Sequence, residues 1–453
     1  MSTIIKHGID DSSPSFIRDL DKCIGCTQCV KVCRDVQKID VYEMFVREDG
    51  KKYANTKNEG PVAETNCINC GQCVKVCPVD ALRDRNQVEQ AEYALANSQK
   101  TVLWEVAPSV KNFLGEEFSL QPGDDVTGKI AAALHKLGGL AMDTDFAADV
   151  TIMEEATEFL SRMKENSHLP MFTSCCPAWV LHAEMEYPEQ LEHLSSTKSP
   201  IEIMGSLMKS YYAEKSGLPL ESLYHISVVP CTAKKYEAKR PEMTTNGVIS
   251  IDLVLTAREF ATLLKKRNID LAALQDEKFD PLLSEGSGGG RIFGRSGGVM
   301  ESALRTASVL ATGKKLGKVT FEPVNENDGI TAAKLDFDGK EISIAVVNGI
   351  GNVQAVMEDV KNGTSPYDFI EVMSCKGGCC AGGGSLGRAN RQNIPARISG
   401  IDKIDEQREL SNALDNREMM QMYDEYLGKA NEGKAHDLLH THYTKKKSAG
   451  SLN

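Results

Sequence analysis

Apolar residues come in short blocks separated by polar stretches. No run reaches eighteen consecutive apolar residues, so the pattern predicts no membrane-spanning helix. TVLWEVAPSV (101–110) opens on a strand-length apolar run, and HISVV (225–229) and DFIEVM (368–373) repeat that signature. Helical patterns lie between such runs, an alternation that predicts α/β layers with parallel strands. RDRNQVEQAEYALANSQK (83–100) reads as a polar connecting helix, and TIMEEATEFL (151–160) as a helix start with Glu155 and Glu158 on one face. Residues 38–62 are mixed and polar around a turn at Asp49-Gly50. Residues 406–441 read as C-terminal helices, and 442–453 as a disordered tail.

At 453 residues the chain is long enough for two or three domains. Its 41% hydrophobic and 26% charged content is that of a soluble globular protein. A formal net charge of −12 argues against a general nucleic-acid or anionic-membrane surface. The first residues, MSTIIKHGIDDSSPS, lack the apolar core of an export signal, so the expected location is cytoplasmic.

There are 14 cysteines, which in such a chain point to metal or redox chemistry rather than disulfides. CIGCTQCVKVC begins at Cys23 and CINCGQCVKVC at Cys67, an internal repeat with C-x2-C-x2-C-x3-C spacing. That is the run of bacterial two-cluster ferredoxins, in which the fourth cysteine of each run ligates the other cluster. One [4Fe–4S] set is then Cys23, Cys26, Cys29 and Cys77, and the other Cys67, Cys70, Cys73 and Cys33. Zinc sites separate their CxxC pairs by longer loops, which sets zinc aside. Pro78 follows the second run as the pattern expects; Arg34 stands in its place in the first.

Six cysteines remain, in FTSCCPAW (172–179), VVPCTAKKYEA (228–238) and EVMSCKGGCCAGGG (371–384). By spacing, Cys176, Cys231, Cys375 and Cys379 are the set a third cluster would take, with Cys175 and Cys380 left over. Gly382, Gly384 and Gly387 match G-x-G-x-x-G, but after a cysteine cluster rather than between a strand and a helix, which argues against a nucleotide. GSGGGRIFGRSGG (286–298) lacks the Gly-Lys-Ser/Thr of a phosphate loop and reads either as a wrap around a buried ligand or as a tight turn.

The three separated cysteine motifs, in order and behind a two-cluster unit, resemble the [FeFe]-hydrogenases along nearly the whole chain. The resemblance implies reversible H2 oxidation and proton reduction at an H-cluster, a cubane joined to a diiron unit carrying carbon monoxide, cyanide and azadithiolate. It assigns Cys176, Cys231, Cys375 and Cys379 to the cubane, with Cys379 shared with the diiron unit. It assigns proton transfer to Cys175, then a water, Glu155, Ser195 and Glu158. It sets Lys234, Pro108 and Ser109 against cyanide, and packs Met373 and Phe293 around the diiron unit. Val229, Ile201 and Cys380 depart from residues many relatives carry near that unit.

The fold so implied is an N-terminal α+β ferredoxin-like domain with two [4Fe–4S] clusters (1–95) and a catalytic domain of two α/β lobes with mixed sheets flanked by helices (96–405). C-terminal helices (406–441) and a tail (442–453) follow. Electrons would leave through the two ferredoxin cubanes. The recipient is a free ferredoxin or a fixed iron–sulfur subunit, as in hydrogen-dependent CO2 reductase complexes with a formate dehydrogenase. Separate maturases would insert the diiron unit. No flavin or NAD motif is visible, so direct use of NAD is not expected. Two other readings share part of the pattern. An H2 sensor usually adds a signalling domain, and a non-catalytic Fe–S assembly factor lacks the diiron unit; the presence of Cys175, Lys234, Glu155 and Glu158 argues against the second.

Overall fold

The computed structural model describes residues 4–324, 327–386 and 390–451. Gly387, the last glycine of the G-x-G-x-x-G match, lies outside them.

The N-terminal unit is a three-stranded antiparallel sheet of Ile9–Asp10, Phe16–Asp19 and Leu82–Asp84. Two short helices, Gln28–Lys31 and Gln72–Val76, carry the third cysteine of each run. The polar segment between the runs is a hairpin, Tyr42–Val46 with Lys52–Thr56.

The first catalytic lobe holds a parallel sheet in the order Leu253–Thr256, Leu223–Val229, Thr101–Val106, Leu140–Asp143. Trp104, Phe260, Leu263 and Leu264 lie in its core. The second lobe holds a mixed sheet in the order Glu322–Val324, Asn327–Phe337, Lys340–Asn348, Phe369–Met373, Met171–Phe172. Its first two pairings are antiparallel and its last two parallel.

The helix Thr144–Glu165 leaves the last strand of the first lobe and runs into the core of the second. Its side chains contact both cores: Phe146 belongs with Leu103 and Met142, while Phe159 stacks on Phe369 at 4.7 Å. Burying one such phenyl stabilises the seam by about 1.5–3 kcal/mol. The helix starts at Thr144 because the Asp143 carboxylate caps the Asp145 amide, and it ends where Asn166 turns left-handed. TIMEEATEFL is therefore the middle of a helix. Its apolar and charged residues alone gave no start signal; the cap lies eight residues upstream.

Three further expectations are corrected. The helix Val88–Ala96 is more than a connector: Val88, Ala91 and Ala94 are buried in the first-lobe core, so the N-terminal unit ends before it. The C-terminal region begins earlier than residue 406, with the helix Ile394–Gln407. Residues 442–451, the described part of the expected tail, are not disordered. Thr441 N donates to Ser196 O (2.8 Å), Lys446 N to Glu184 O (3.0 Å), Ala449 N to Thr65 O (2.8 Å) and Gly450 N to Ala63 O (2.9 Å). This polar segment is held by backbone pairing, which composition does not reveal.

Among the described residues no helix is long and apolar enough to cross a membrane.

Candidate active site

The sulfurs of the N-terminal runs sort themselves by geometry. Cys23, Cys26, Cys29 and Cys77 line one cavity, and Cys33, Cys67, Cys70 and Cys73 line another. Amide hydrogens point at these sulfurs: Ala54 N to Cys23, Leu82 N to Cys77 and Val41 N to Cys33, each at 3.4 Å. Such donors suit thiolates bound to iron. Burial, followed by mutual repulsion, pushes the Cys29 thiol up to about 12. Four sulfurs crowded around one cavity, with the buried Cys29 thiol resisting ionisation, fit a cationic cluster that would supply the missing charge.

A third cavity lies between the lobes. It collects Cys176, Cys231, Cys375 and Cys379 with Cys175. Three of these sulfurs sit just beyond a strand. Cys176 follows Met171–Phe172 and precedes the helix Pro177–Glu186, Cys231 follows Leu223–Val229, and Cys375 follows Phe369–Met373. Cys379 lies in the short turn Gly378–Ala381. Gly378 has φ +71°, and a Cβ there would sit 2.5 Å from Ser296 N, so no side chain fits. GSGGGRIFGRSGG contributes Phe293 and Gly294 to the cavity wall, from the end of the short helix Gly288–Ile292. It encloses the cavity rather than forming an isolated turn.

Pro108, Ser109, Ile201, Val229, Lys234 and Met373 also line this cavity. Cys380 does not: it is wholly buried among Ile292 and Ile401, behind the wall. The motif gives it a place beside Cys379 in sequence, but the intervening turn points it into packing. The wall is mostly apolar, its polar groups being the sulfurs, the Lys234 ammonium and the hydroxyls of Ser109, Thr144 and Ser374. Ser109 Oγ is buried without a protein partner, which leaves a donor for a bound group. Lys234 Nζ donates to Glu237 Oε2 (2.7 Å) and Cys175 O (3.2 Å). Burial alone would lower its pKa, but Glu237, with Cys175 and Cys231, more than offsets this and keeps it charged. Four thiols, one cation and an orphan donor in a dry chamber suit an anionic metal cluster.

Cys175 is held as a thiol by burial and by the nearby Glu155, Cys176 and Glu371 charges. Glu155 is raised to about 8, by burial first and then by the Glu158 charge; its Oε2 has no protein partner. Ser195 Oγ donates to Glu158 Oε2 at 2.8 Å. Arg162 then donates to Glu158 Oε1 at 2.7 Å from the next turn of the same helix. Arg162 was not singled out from the sequence, although its position four residues after Glu158 is an i,i+4 signal. Glu237, three after Lys234, was missed in the same way.

The second sulfur cavity abuts the third. Cys70 lines both. Gln72 Nε2 lies 3.1 Å from Cys375 Sγ, and Gln37 Nε2 lies 3.4 Å from Cys70 Sγ and 3.2 Å from Ser374 O. Gly383 sits so close to the Cys70-Gly71 backbone that a Cβ would be 2.0 Å from Cys70 O.

The family described as iron only hydrogenase large subunit, C-terminal domain, matches residues 100–383. The chain belongs to the [FeFe]-hydrogenases. The iron hydrogenase small subunit family matches residues 391–446, so the C-terminal segment that docks across the catalytic domain corresponds to a small subunit. A 4Fe-4S dicluster family matches 22–81. The chain is 43% identical to the NADP-reducing hydrogenase subunit HndD of Solidesulfovibrio fructosivorans, over 98% of this chain and 77% of that protein. It is 41% identical to iron hydrogenase 1 of Clostridium pasteurianum, over 96% and 77%. A solved structure of [FeFe]-hydrogenase HydA1 from Chlamydomonas reinhardtii superposes with a TM-score of 0.72 at 35% identity, covering 80% of this chain and 99% of that one. This hydrogenase oxidises H2 and reduces protons, with [4Fe–4S] clusters and an H-cluster as its cofactors.

Proposed function

We propose that this hydrogenase exchanges electrons with an iron–sulfur partner through two cubanes in series, and protons with solvent through Cys175, Glu155, Ser195 and Glu158. The observation that carries this reading is Cys70, which stands in the wall of the active-site cavity while belonging to the second set of ferredoxin sulfurs.

Cys176, Cys231, Cys375 and Cys379 would hold the active-site cubane, and Cys379 would also serve the diiron unit. When bound, the H-cluster supplies the iron chemistry on which H2 is split or formed. Lys234, Pro108 and Ser109 orient its cyanide ligands, and Met373 and Phe293 keep water away. Cys33, Cys67, Cys70 and Cys73 hold the inner relay cubane, and Cys23, Cys26, Cys29 and Cys77 the outer one. Cys23 and Cys26 are partly exposed, with Ile24 between them 61% exposed, which makes the outer set the point of exit.

Cys175 exchanges a proton with the cavity and Glu155 receives it across a water. A carboxyl near 8 holds and releases a proton at neutral pH. The Ser195 hydroxyl passes it to Glu158, which Arg162 holds in place from the next helical turn.

The partner is a ferredoxin or a fixed iron–sulfur subunit, the latter in a complex that couples H2 to another substrate such as CO2. The likeness to a subunit of an NADP-reducing hydrogenase supports the second arrangement. Infrared spectroscopy of the anaerobically matured protein is the test. Carbon monoxide and cyanide bands that shift under H2 are expected; their absence in protein given a complete diiron cofactor would overturn the reading. Loss of partner-coupled but not artificial-dye turnover in Cys67→Ala would check the electron route.

A further inference from the structure

Behind the first-lobe wall of the cavity lies a second buried group of acids that the proton route above does not use. Glu105, Glu202, His225, Ser227 and Thr144 are all fully buried. Glu105 and His225 come from the neighbouring parallel strands Thr101–Val106 and Leu223–Val229, where Glu105 pairs with Ser227. Glu202 comes from the helix Pro200–Leu207, whose first residues Pro200 and Ile201 line the cavity. Thr144 also lines the cavity, and its Oγ1 donates to Glu105 Oε2 at 2.8 Å.

Proton counting fixes what this group must hold. His225 Nδ1 faces the Ser250 carbonyl at 3.1 Å, an acceptor only, so Nδ1 carries a hydrogen. His225 Nε2 lies 3.0 Å from Glu105 Oε1, but without the alignment of a hydrogen bond. Two bare acceptors at that distance would repel, so a proton belongs on one of them. Glu202 has no protein partner on either oxygen, and burial, followed by the charge of Glu237, pushes its pKa well up. Ser199 Oγ and Ser227 Oγ are also without partners. A buried space with this many unpaired polar atoms is a site for ordered water.

Charge balance leads to the same count. The carboxyls Glu105, Glu202 and Glu237 face the ammonium groups of Lys198 and Lys234. Other charges nearby are engaged in ion pairs of their own: Asp252 with Lys209, Arg240 with Glu184 and Glu242, and Asp125, Asp143 and Asp145 with Lys111, Arg291 and Arg408. Three carboxylates against two ammonium ions leave one negative charge, and burying an unpaired charge costs several kcal/mol. One added proton restores neutrality.

We propose that Glu105, Glu202 and His225 form a closed proton store in the cavity wall: one proton resides among them and is exchanged with the cavity through the Thr144 hydroxyl as the charge of the active site changes. The proton comes from the pool that H2 oxidation itself releases. In transfer, Thr144 gives its hydroxyl hydrogen to one side and takes another from the other, so no electrons move and no bond other than O–H or N–H changes. Because none of the three residues reaches solvent, the store compensates charge rather than conducting protons outward.

The proposal rests on this cavity being the site of H2 chemistry, and its test separates the two. Infrared difference spectra of the matured holoenzyme, H2-reduced minus oxidised, are recorded in H2O and D2O. Glu155→Gln, which interrupts the other route, provides a background. A protonated-carboxyl stretch that shifts in D2O is expected in that background. It should be lost or displaced when either Glu202→Gln or Glu105→Gln is added, and the pH dependence of the site's reduction potential should weaken. The two substitutions report independently if one fails to fold. An unchanged carboxyl region in both combinations, with the carbon monoxide and cyanide bands intact, overturns the store alone. Absence of those bands from the parent removes the reading of the cavity, and the store with it.

Discussion

The Gln72 side-chain amide lies 3.1 Å from Cys375 Sγ, a direct polar link from the ferredoxin unit to the active-site sulfurs. The same amide donates to Ala381 O at 3.0 Å, so its orientation is fixed from both ends. A donor to a cluster sulfur stabilises the more negative, reduced state. Gln72→Ala is therefore expected to lower the midpoint potential of the active-site cubane. The magnitude should be that of one hydrogen bond to a charged group, on the order of 1.5–3 kcal/mol. A redox titration followed by electron paramagnetic resonance measures it; an unchanged potential would mean the contact does not persist in the loaded enzyme.

Ser195 joins the loop before helix Pro200–Leu207 to Glu158 by one hydroxyl. Ser195→Ala removes the only atom placed to carry a proton between Glu155 and Glu158 in the proposed route. Turnover should fall by about 10²–10⁴-fold, the range for a lost proton-transfer group. The carbonyl and cyanide bands should keep their positions. Turnover near the parent's would send the protons elsewhere.

Glu155 links turnover and stability with opposite signs. Its ordinary value of 4.5 is raised to about 8 in the fold. Between those values the folded protein binds a proton that the unfolded chain has lost, so stability from this group falls as pH rises through that window. Below it the group contributes no penalty. Glu155→Gln is expected to raise Tm at pH 8 and above relative to the parent, with little change near pH 4, while suppressing turnover. Melting curves across pH decide this; a Tm difference that grows toward acid would reverse the assignment.

Arg240 and Glu184 form a buried bidentate pair at 2.9 and 2.6 Å, and Glu184 O also accepts from Lys446 N in the C-terminal segment. Removing Glu184 leaves the buried Arg240 guanidinium with Glu242 alone. Glu184→Ala should cost about 3–5 kcal/mol. It should also loosen residues 442–451, seen as faster amide exchange at Ala449 and Gly450. A chain with unaltered exchange there would show that backbone pairing alone holds the segment.

Covalent spacing made the cluster residues legible. C-x2-C-x2-C-x3-C restricts four sulfurs so tightly that their partition between two cavities followed from the repeat. Cys176, Cys231 and Cys375 were legible because each follows an apolar, strand-like run that ends at the cavity. The relay residues were different. Glu155 and Glu158 look like surface acids in sequence, and only the burial of their helix between two lobes raises Glu155 and sets Glu158 against Ser195. The docked C-terminal segment left no apolar trace, since its bonds are made by backbone atoms. Glu105, Glu202 and His225 are far apart in sequence, and no short motif contains any two of them. Their meeting depends on strand register and on one helix, which are tertiary facts.

Gly71 and Gly383 lie back to back where the ferredoxin loop meets the active-site loop, with no side chain between them. A methyl group at Gly383 would drive the two backbones apart. Electron tunnelling falls exponentially with distance, so along the proposed route the missing side chain of Gly383 shortens the step by which current enters the site. On that route, what looks like simple close packing is an insulating gap in a wire.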